Sequence, residues 1–171
     1  MRISRFLILL LIGLAFLQAR YFAPRLPEQV ASHFDAAGRA DGWSSRDSFL
    51  ALNLAFVVGM GLLSLGVTVL INKVPNDWIN LPNKDYWLAP ERRAATLDAI
   101  SGQMEWLAAA TVALMLGLTQ LTIQANLESA PALPGYAFWV FFGGYMAFMV
   151  AWLIGLLRRW YGRPPKDADF P

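Results

Sequence analysis

Four long apolar stretches, each close to the length needed to cross a lipid bilayer, govern what this chain can fold into. A helix needs about 20 mostly apolar residues to span the hydrocarbon layer. Only helices and closed barrels satisfy their own backbone polar groups there. The stretches fall at about residues 5–22, 48–71, 104–123 and 136–157. Charge content agrees, at 15% against 57% hydrophobic residues, whereas soluble domains carry about a quarter charged residues. The expected fold is an all-α integral membrane protein, a bundle of four transmembrane helices forming one membrane domain over residues 1–171.

The first span follows Arg2 and Arg5 and reaches Phe22 only if Arg20 extends its head to the far interface. Basic residues before an apolar core also describe a signal peptide. No clean small-x-small cleavage site follows, so an uncleaved helix is expected. An outer loop, residues 23–47, comes next, with Gly38, Gly42 and Trp43 marking turns. Within it, Glu28 to Phe34 is expected to form a short interfacial helix, since Val30 and Phe34 lie four apart. Ser48 or Asp47 is positioned to cap the second span. Loop 72–103 is polar, and Pro90 suits the first position of a helix. An amphipathic stub over about 90–103 then either lies on the membrane or runs on into the third span. Glu105 stands at the entrance of that span and is not expected to lie deep, because an unpaired carboxylate in hydrocarbon costs about 2.5 kcal/mol or more. A second outer loop covers residues 124–135.

Basic residues set the orientation, because inward-facing flanks retain excess Lys and Arg. With both termini inside, the inner flanks hold ten: Arg2, Arg5, Lys73, Lys84, Arg92, Arg93, Arg158, Arg159, Arg163 and Lys166. The outer loops hold four: Arg20, Arg25, Arg39 and Arg46. This predicts a multi-pass protein of the cytoplasmic membrane with N- and C-termini cytoplasmic.

Helices in lipid associate through close backbone approach at small residues. Three spans carry such residues four apart: Ala51, Ala55 and Gly59; Ala109, Ala113 and Gly117; and Gly143, Ala147, Ala151 and Gly155. The second, third and fourth spans are expected to pack through these stripes.

Chemistry is sparse. Cysteine is absent, which removes thiolate metal sites and cysteine nucleophiles. No phosphate loop, HExxH helix or GxSxG elbow occurs. The formal charge of +2 comes without a basic nucleic-acid-binding face or reading motif. His33, Asp35 and Asp41 form the one cluster with ligand potential, since imidazole and carboxylate suit divalent metals. The competing reading is structural, with His33 hydrogen-bonded in a loop and the aspartates holding turns. On the inner side, Asn80, Pro82, Asn83, Tyr86, Trp87, Glu91, Arg92 and Arg93 read as turns, or else as a basic site for anionic headgroups. No cofactor is called for.

The run Leu26-Pro27-Glu28-Gln29-Val30-Ala31-Ser32-His33-Phe34, continuing to Gly38 and Asp41-Gly42-Trp43, resembles bacterial membrane proteins of the family termed domain of unknown function 1648. The inner motif Asn80-Leu81-Pro82-Asn83-Lys84-Asp85-Tyr86-Trp87 with Glu91-Arg92-Arg93 is similar to members of the same group. The resemblance covers about the first hundred residues. It implies kinship with the N-terminal module of SdpI-type immunity proteins and a bacterial inner-membrane location, and it brings no catalytic residues.

Three functions are compatible with these features. The leading one is a non-enzymatic membrane protein, accessory or immunity-like, that contacts membrane lipids and binds another membrane protein or its own copy. The alternatives are a small transporter or channel subunit, and a membrane enzyme acting on lipid or cell-wall substrates near His33.

Overall fold

A computed structural model describes residues 2–162. Arg163 and Lys166, counted above among the inner basic residues, lie outside the described residues. Element order is α1 (Ile3–Phe22), β1 (Gln29–Phe34), β2 (Ala40–Ser45), α2 (Arg46–Leu70), two short 3-10 turns, α3 (Lys84–Trp87), α4 (Pro90–Asn126) and α5 (Gly135–Trp160). Among the described residues, α1, α2, α4 and α5 are long and apolar enough to cross a membrane. Their outer surfaces carry large bare apolar side chains such as Leu52, Leu63 and Val140.

The amphipathic stub is not separate from the third span. Pro90 opens a single helix of 37 residues, about 55 Å long at 1.5 Å per residue. This helix is the hub. It packs against α1, α2 and α5, and α5 packs mainly against α4, with its last residue, Trp160, also meeting Trp87 of α3. The main core joins Leu11 and Ala15 of α1, Val57 of α2 and Val112 of α4. Ile8 meets Ala108 and Ala109 beside it.

Two expectations about helix contacts are corrected. Ala51, Ala55 and Gly59 are exposed, as are Gly143, Ala147, Ala151 and Gly155. At about 100° per residue, positions two residues along sit on nearly the opposite side of a helix, and in α2 two of these, Val57 and Gly61, are packed. In α2 the buried stripe is Val57, Gly61, Ser64 and Thr68. A Cβ at Gly61 would stand 2.6 Å from Ile12 Cδ1, so α1 and α2 come together there. In α5 it is aromatic residues that reach α4. Phe141 lies over Gly117, where a Cβ would come within 2.4 Å of its ring. Tyr145 Oη shares a 2.9 Å hydrogen bond with Thr111, and Trp152 Nε1 donates to the Gln103 carbonyl at 3.0 Å. Of the third stripe, Ala109 is buried, Gly117 is half-buried under Phe141, and Ala113 is exposed.

The segment Glu28 to Phe34 is also not helical. Gln29–Phe34 forms a strand antiparallel to Ala40–Ser45. Its cross-strand hydrogen bonds and its seat on α4 outweigh the four-residue apolar spacing. The cap of α2 is Ser45, whose Oγ accepts the Ser48 N–H at 3.2 Å, and Arg46 is the first helical residue.

Candidate functional site

Both ends of the bundle carry polar structure. At one end sits the β1–β2 hairpin. At the other, the N-terminus of α1 meets the C-terminal turns of α2 and the first half of α4, and the end of α5 reaches Gln103 and Trp87.

The hairpin is shaped by two glycines. Gly38 sits at φ +79°, which a side chain rarely adopts, and a Cβ there would lie 2.4 Å from the Leu133 carbonyl oxygen. The tip is pinned at that point: the Leu133 N–H donates to the Gly38 carbonyl at 2.9 Å. Gly42 faces His33 across the strands, and a Cβ there would stand 2.8 Å from His33 Cβ. The ladder is irregular on both sides of His33. That irregularity turns the imidazole toward Asp41, with His33 Nδ1 2.5 Å from Asp41 Oδ1.

Asp35 does not join this pair. Its Oδ1 accepts the N–H groups of Ala37 and Arg39, each at 2.9 Å, and its Oδ2 accepts Arg39 Nε at 2.9 Å. The backbone N–H of Arg39, helped by its guanidinium and by the Ala37 N–H, holds the Asp35 carboxyl below the usual aspartate range. Among the described residues, no three histidine, aspartate or glutamate side chains gather in a metal-binding arrangement.

The hairpin is held on the bundle by a residue that sequence reasoning assigned to a loop. Asn126, the last residue of α4, is buried. Its Oδ1 accepts the Ala31 N–H at 2.7 Å and its Nδ2 donates to the Ala31 carbonyl at 2.9 Å. A side-chain amide thereby substitutes for one rung of a strand pair. Val30 packs beneath with Leu26, Phe49 and Ile123. Trp43, 54% exposed, lies on one strand with the exposed Asp41 and Ser45, and His33 on the other strand is exposed as well.

At the opposite end, Glu105 is completely buried. Its carboxylate accepts Ser4 Oγ at 2.7 Å, Arg5 Nε at 2.8 Å, Thr68 Oγ1 at 3.0 Å and Arg2 Nη1 at 3.1 Å. Arg2 also pairs with Asp98. Glu105 thus sits level with Arg2 and Arg5 at the end of the bundle, and it is not left unpaired. It is enclosed by protein and paired, and it ties three helices together. Burial of a charge is tolerable when it is paired and its lone pairs are filled.

The predicted inner motif is largely internal bracing. Arg93 Nε donates to Asn76 Oδ1 at 2.8 Å and Arg93 Nη2 to the Val74 carbonyl at 2.7 Å. Arg92 Nε donates to the Tyr86 carbonyl at 2.9 Å, its guanidinium lies 4.1 Å from the Tyr86 ring centroid, and it sits 3.5 Å from Glu91. Asn83 adopts a left-handed conformation, φ 53°, just before α3. Trp87 is buried, edge to face with Trp160 at 5.2 Å. Pro82 is half-buried and Asn80 is exposed.

These geometries coincide with a family segment. Residues 9–58 match the family model described as Domain of unknown function (DUF1648). The matched segment runs from within α1 through the hairpin into α2, so it contains the His33–Asp41 pair, both hairpin glycines and Trp43. Neither the curated proteins nor the solved structures gave a match to the chain.

Proposed function

We propose that this protein is a non-enzymatic component of the bacterial inner membrane, accessory or immunity-like, that binds another membrane component through the free face of its hairpin. The observation that carries the reading is the built rigidity of that hairpin. Asn126 clamps one strand and Leu133 the tip, while Trp43, His33 and Asp41 are exposed. A half-exposed tryptophan on a preorganised surface is a strong anchor, because little entropy is lost when it docks. The distribution of Lys and Arg supports placing both termini in the cytoplasm and the hairpin outside. Kinship with the N-terminal module of SdpI-type immunity proteins is part of the same reading and rests on the hairpin motif.

A photo-crosslinking amino acid at position 43, with position 78 as control, tests this in living cells. Trp78 is 81% exposed and sits at the other end of the bundle. A discrete adduct from position 43 alone, lost in His33→Ala/Asp41→Ala, is the expected result. Adducts that are the same from both positions, or none from either, would defeat the reading.

A further inference from the structure

Beside the Glu105 cluster lies a polar pocket whose groups the bundle's own contacts do not use up. Arg2 and Arg5 of α1, Thr68, Val69 and Asn72 at and just beyond the end of α2, and Asp98 of α4 line it. Its volume is about 330 Å³, within the range of about 300–1,000 Å³ usual for small-molecule sites. Arg2, Arg5 and Thr68 each also bond Glu105, so the buried carboxylate fixes three parts of the wall.

Unused groups of both signs are present. Arg5 gives Glu105 only its Nε, and neither of its Nη groups has an acceptor among the described residues. A guanidinium edge of that kind suits the oxygens of a phosphate. Asp98 gives Arg2 only Oδ1; its Oδ2 has no partner among the described residues, and the side chain is 70% exposed. Asn72 donates from Nδ2 to the Thr68 carbonyl at 3.3 Å, and its Oδ1 has no donor among the described residues. Those two oxygens call for a group that donates hydrogen bonds.

Depth and charge select the occupant. α1 begins at Ile3 and α2 ends at Leu70, so the pocket lies where two apolar helices of spanning length end. Headgroups border the hydrocarbon at that level. Val69, 65% exposed, gives the pocket an apolar lip beside its polar wall. Arg2 and Arg5 are balanced by Asp98 and Glu105, so the cluster holds no surplus positive charge for an anionic headgroup. A headgroup that carries its own phosphate and its own cation matches this balance. Asp98 and Asn72 narrow the cation to one with N–H groups, which a primary ammonium has and a trimethylammonium lacks.

We propose that this pocket seats the headgroup of one aminophospholipid of the phosphatidylethanolamine class. The phosphate faces Arg5, the primary ammonium donates to Asp98 and Asn72, and the acyl chains leave past Val69. The site lies at the end opposite the hairpin and does not depend on the role proposed for that face.

The test is native mass spectrometry of the full chain in mild detergent, titrated with chain-matched phosphatidylethanolamine, phosphatidylcholine and phosphatidylglycerol. One phosphatidylethanolamine should bind at least about tenfold more tightly than either of the others, a difference of about 1.4 kcal/mol. Asp98→Asn, at an exposed position, should bring it down to the phosphatidylcholine level with helicity unchanged. Ala94→Trp, which fills the pocket from another exposed lining position, should do the same. Equal or weaker binding of phosphatidylethanolamine to the unaltered protein would overturn the proposal. So would a preference that survives both substitutions, or equally tight binding of glycerophosphoethanolamine, which has no chains.

Discussion

Asn126 holds both backbone groups of Ala31, accepting the N–H at 2.7 Å and donating to the carbonyl at 2.9 Å. Its Nδ2 also donates to the Thr122 carbonyl at 2.8 Å, so the amide is fixed from its own helix as well. These bonds place the hairpin on the end of the longest helix. Replacing Asn126 by alanine strands two buried backbone groups, at about 1–3 kcal/mol each. The expected result for Asn126→Ala is rapid amide exchange across residues 29–45 by mass spectrometry, with α1, α2 and α4 still protected. Exchange at the native rate in the hairpin would contradict this.

Glu105 is held by Arg2, Arg5, Ser4 and Thr68. Removing one partner of a buried pair typically costs about 3–5 kcal/mol; Arg2 and Arg5 are partly exposed, so the lower part of that range applies. Glu105→Ala should lower the melting temperature in detergent clearly more than Asp98→Ala, which removes only a solvent-facing contact. Equal effects of the two changes would count against Glu105 as the fastening point.

Gly38→Ala forces a side chain into a left-handed backbone position and against the Leu133 carbonyl. Strain of this kind costs about 1–3 kcal/mol. The expected outcome is proteolytic nicking between residues 35 and 41, while the helical circular-dichroism signal is kept. Gly13→Ala, where a Cβ meets nothing within 4 Å, should leave the protein as resistant as the original.

The turn should also respond to acid. The Asp35 carboxyl lies below its usual range because the folded turn donates to it. A carboxylate with a depressed folded value stabilises fully above the unfolded value, near 3.9, and that contribution disappears as pH falls through the folded value. Hairpin amide protection should therefore decline as pH is lowered from 5 toward 3, and Asp35→Asn should flatten the dependence. A profile unchanged by the substitution would remove Asp35 as its origin.

Packing predictions follow the aromatic side of α5. Ala147→Leu adds bulk to an exposed position and should change stability by no more than about 0.5 kcal/mol. Gly117→Leu must displace Phe141 and should cost about 1–3 kcal/mol. Thermal melting of the two variants side by side decides between the aromatic face and the small-residue stripe as the contact.

Long-period features were readable from residues, because an apolar run of twenty needs no knowledge of its neighbours. Four helices long and apolar enough to cross a membrane are therefore present, and Pro90 starts a helix as its ring predicts, although that helix runs 37 residues and includes the third apolar stretch. Which side of a helix meets a neighbour is a different problem. Gly143, Ala147, Ala151 and Gly155 make a regular stripe, yet Phe141, Tyr145 and Trp152 supply the contact because α4 offers Gly117, Thr111 and Gln103 to receive them. The hairpin was hidden for a related reason. Val30 and Phe34 fit a helical spacing, and the strand forms because Asn126, ninety-five positions from Ala31, completes its hydrogen bonds. The pairing of Glu105 was not readable, since Ser4 and Arg5 lie about a hundred positions away and Thr68 thirty-seven. The pairing of His33 with Asp41, by contrast, had a local clue in Gly38 and Gly42, whose lack of a side chain allows the strands to fold back and approach.

The hub position of α4 has a consequence for assembly during synthesis. Arg2 and Arg5 are made well before Glu105, the carboxylate that neutralises them, which follows only after α1, the hairpin and α2 are complete. The opening pair of helices is thus an unfinished object, carrying cations that wait for a counter-charge. The contacts of α1 and α2 are completed only when α4 arrives, and α5 then docks on α4 and, through Trp160, on Trp87.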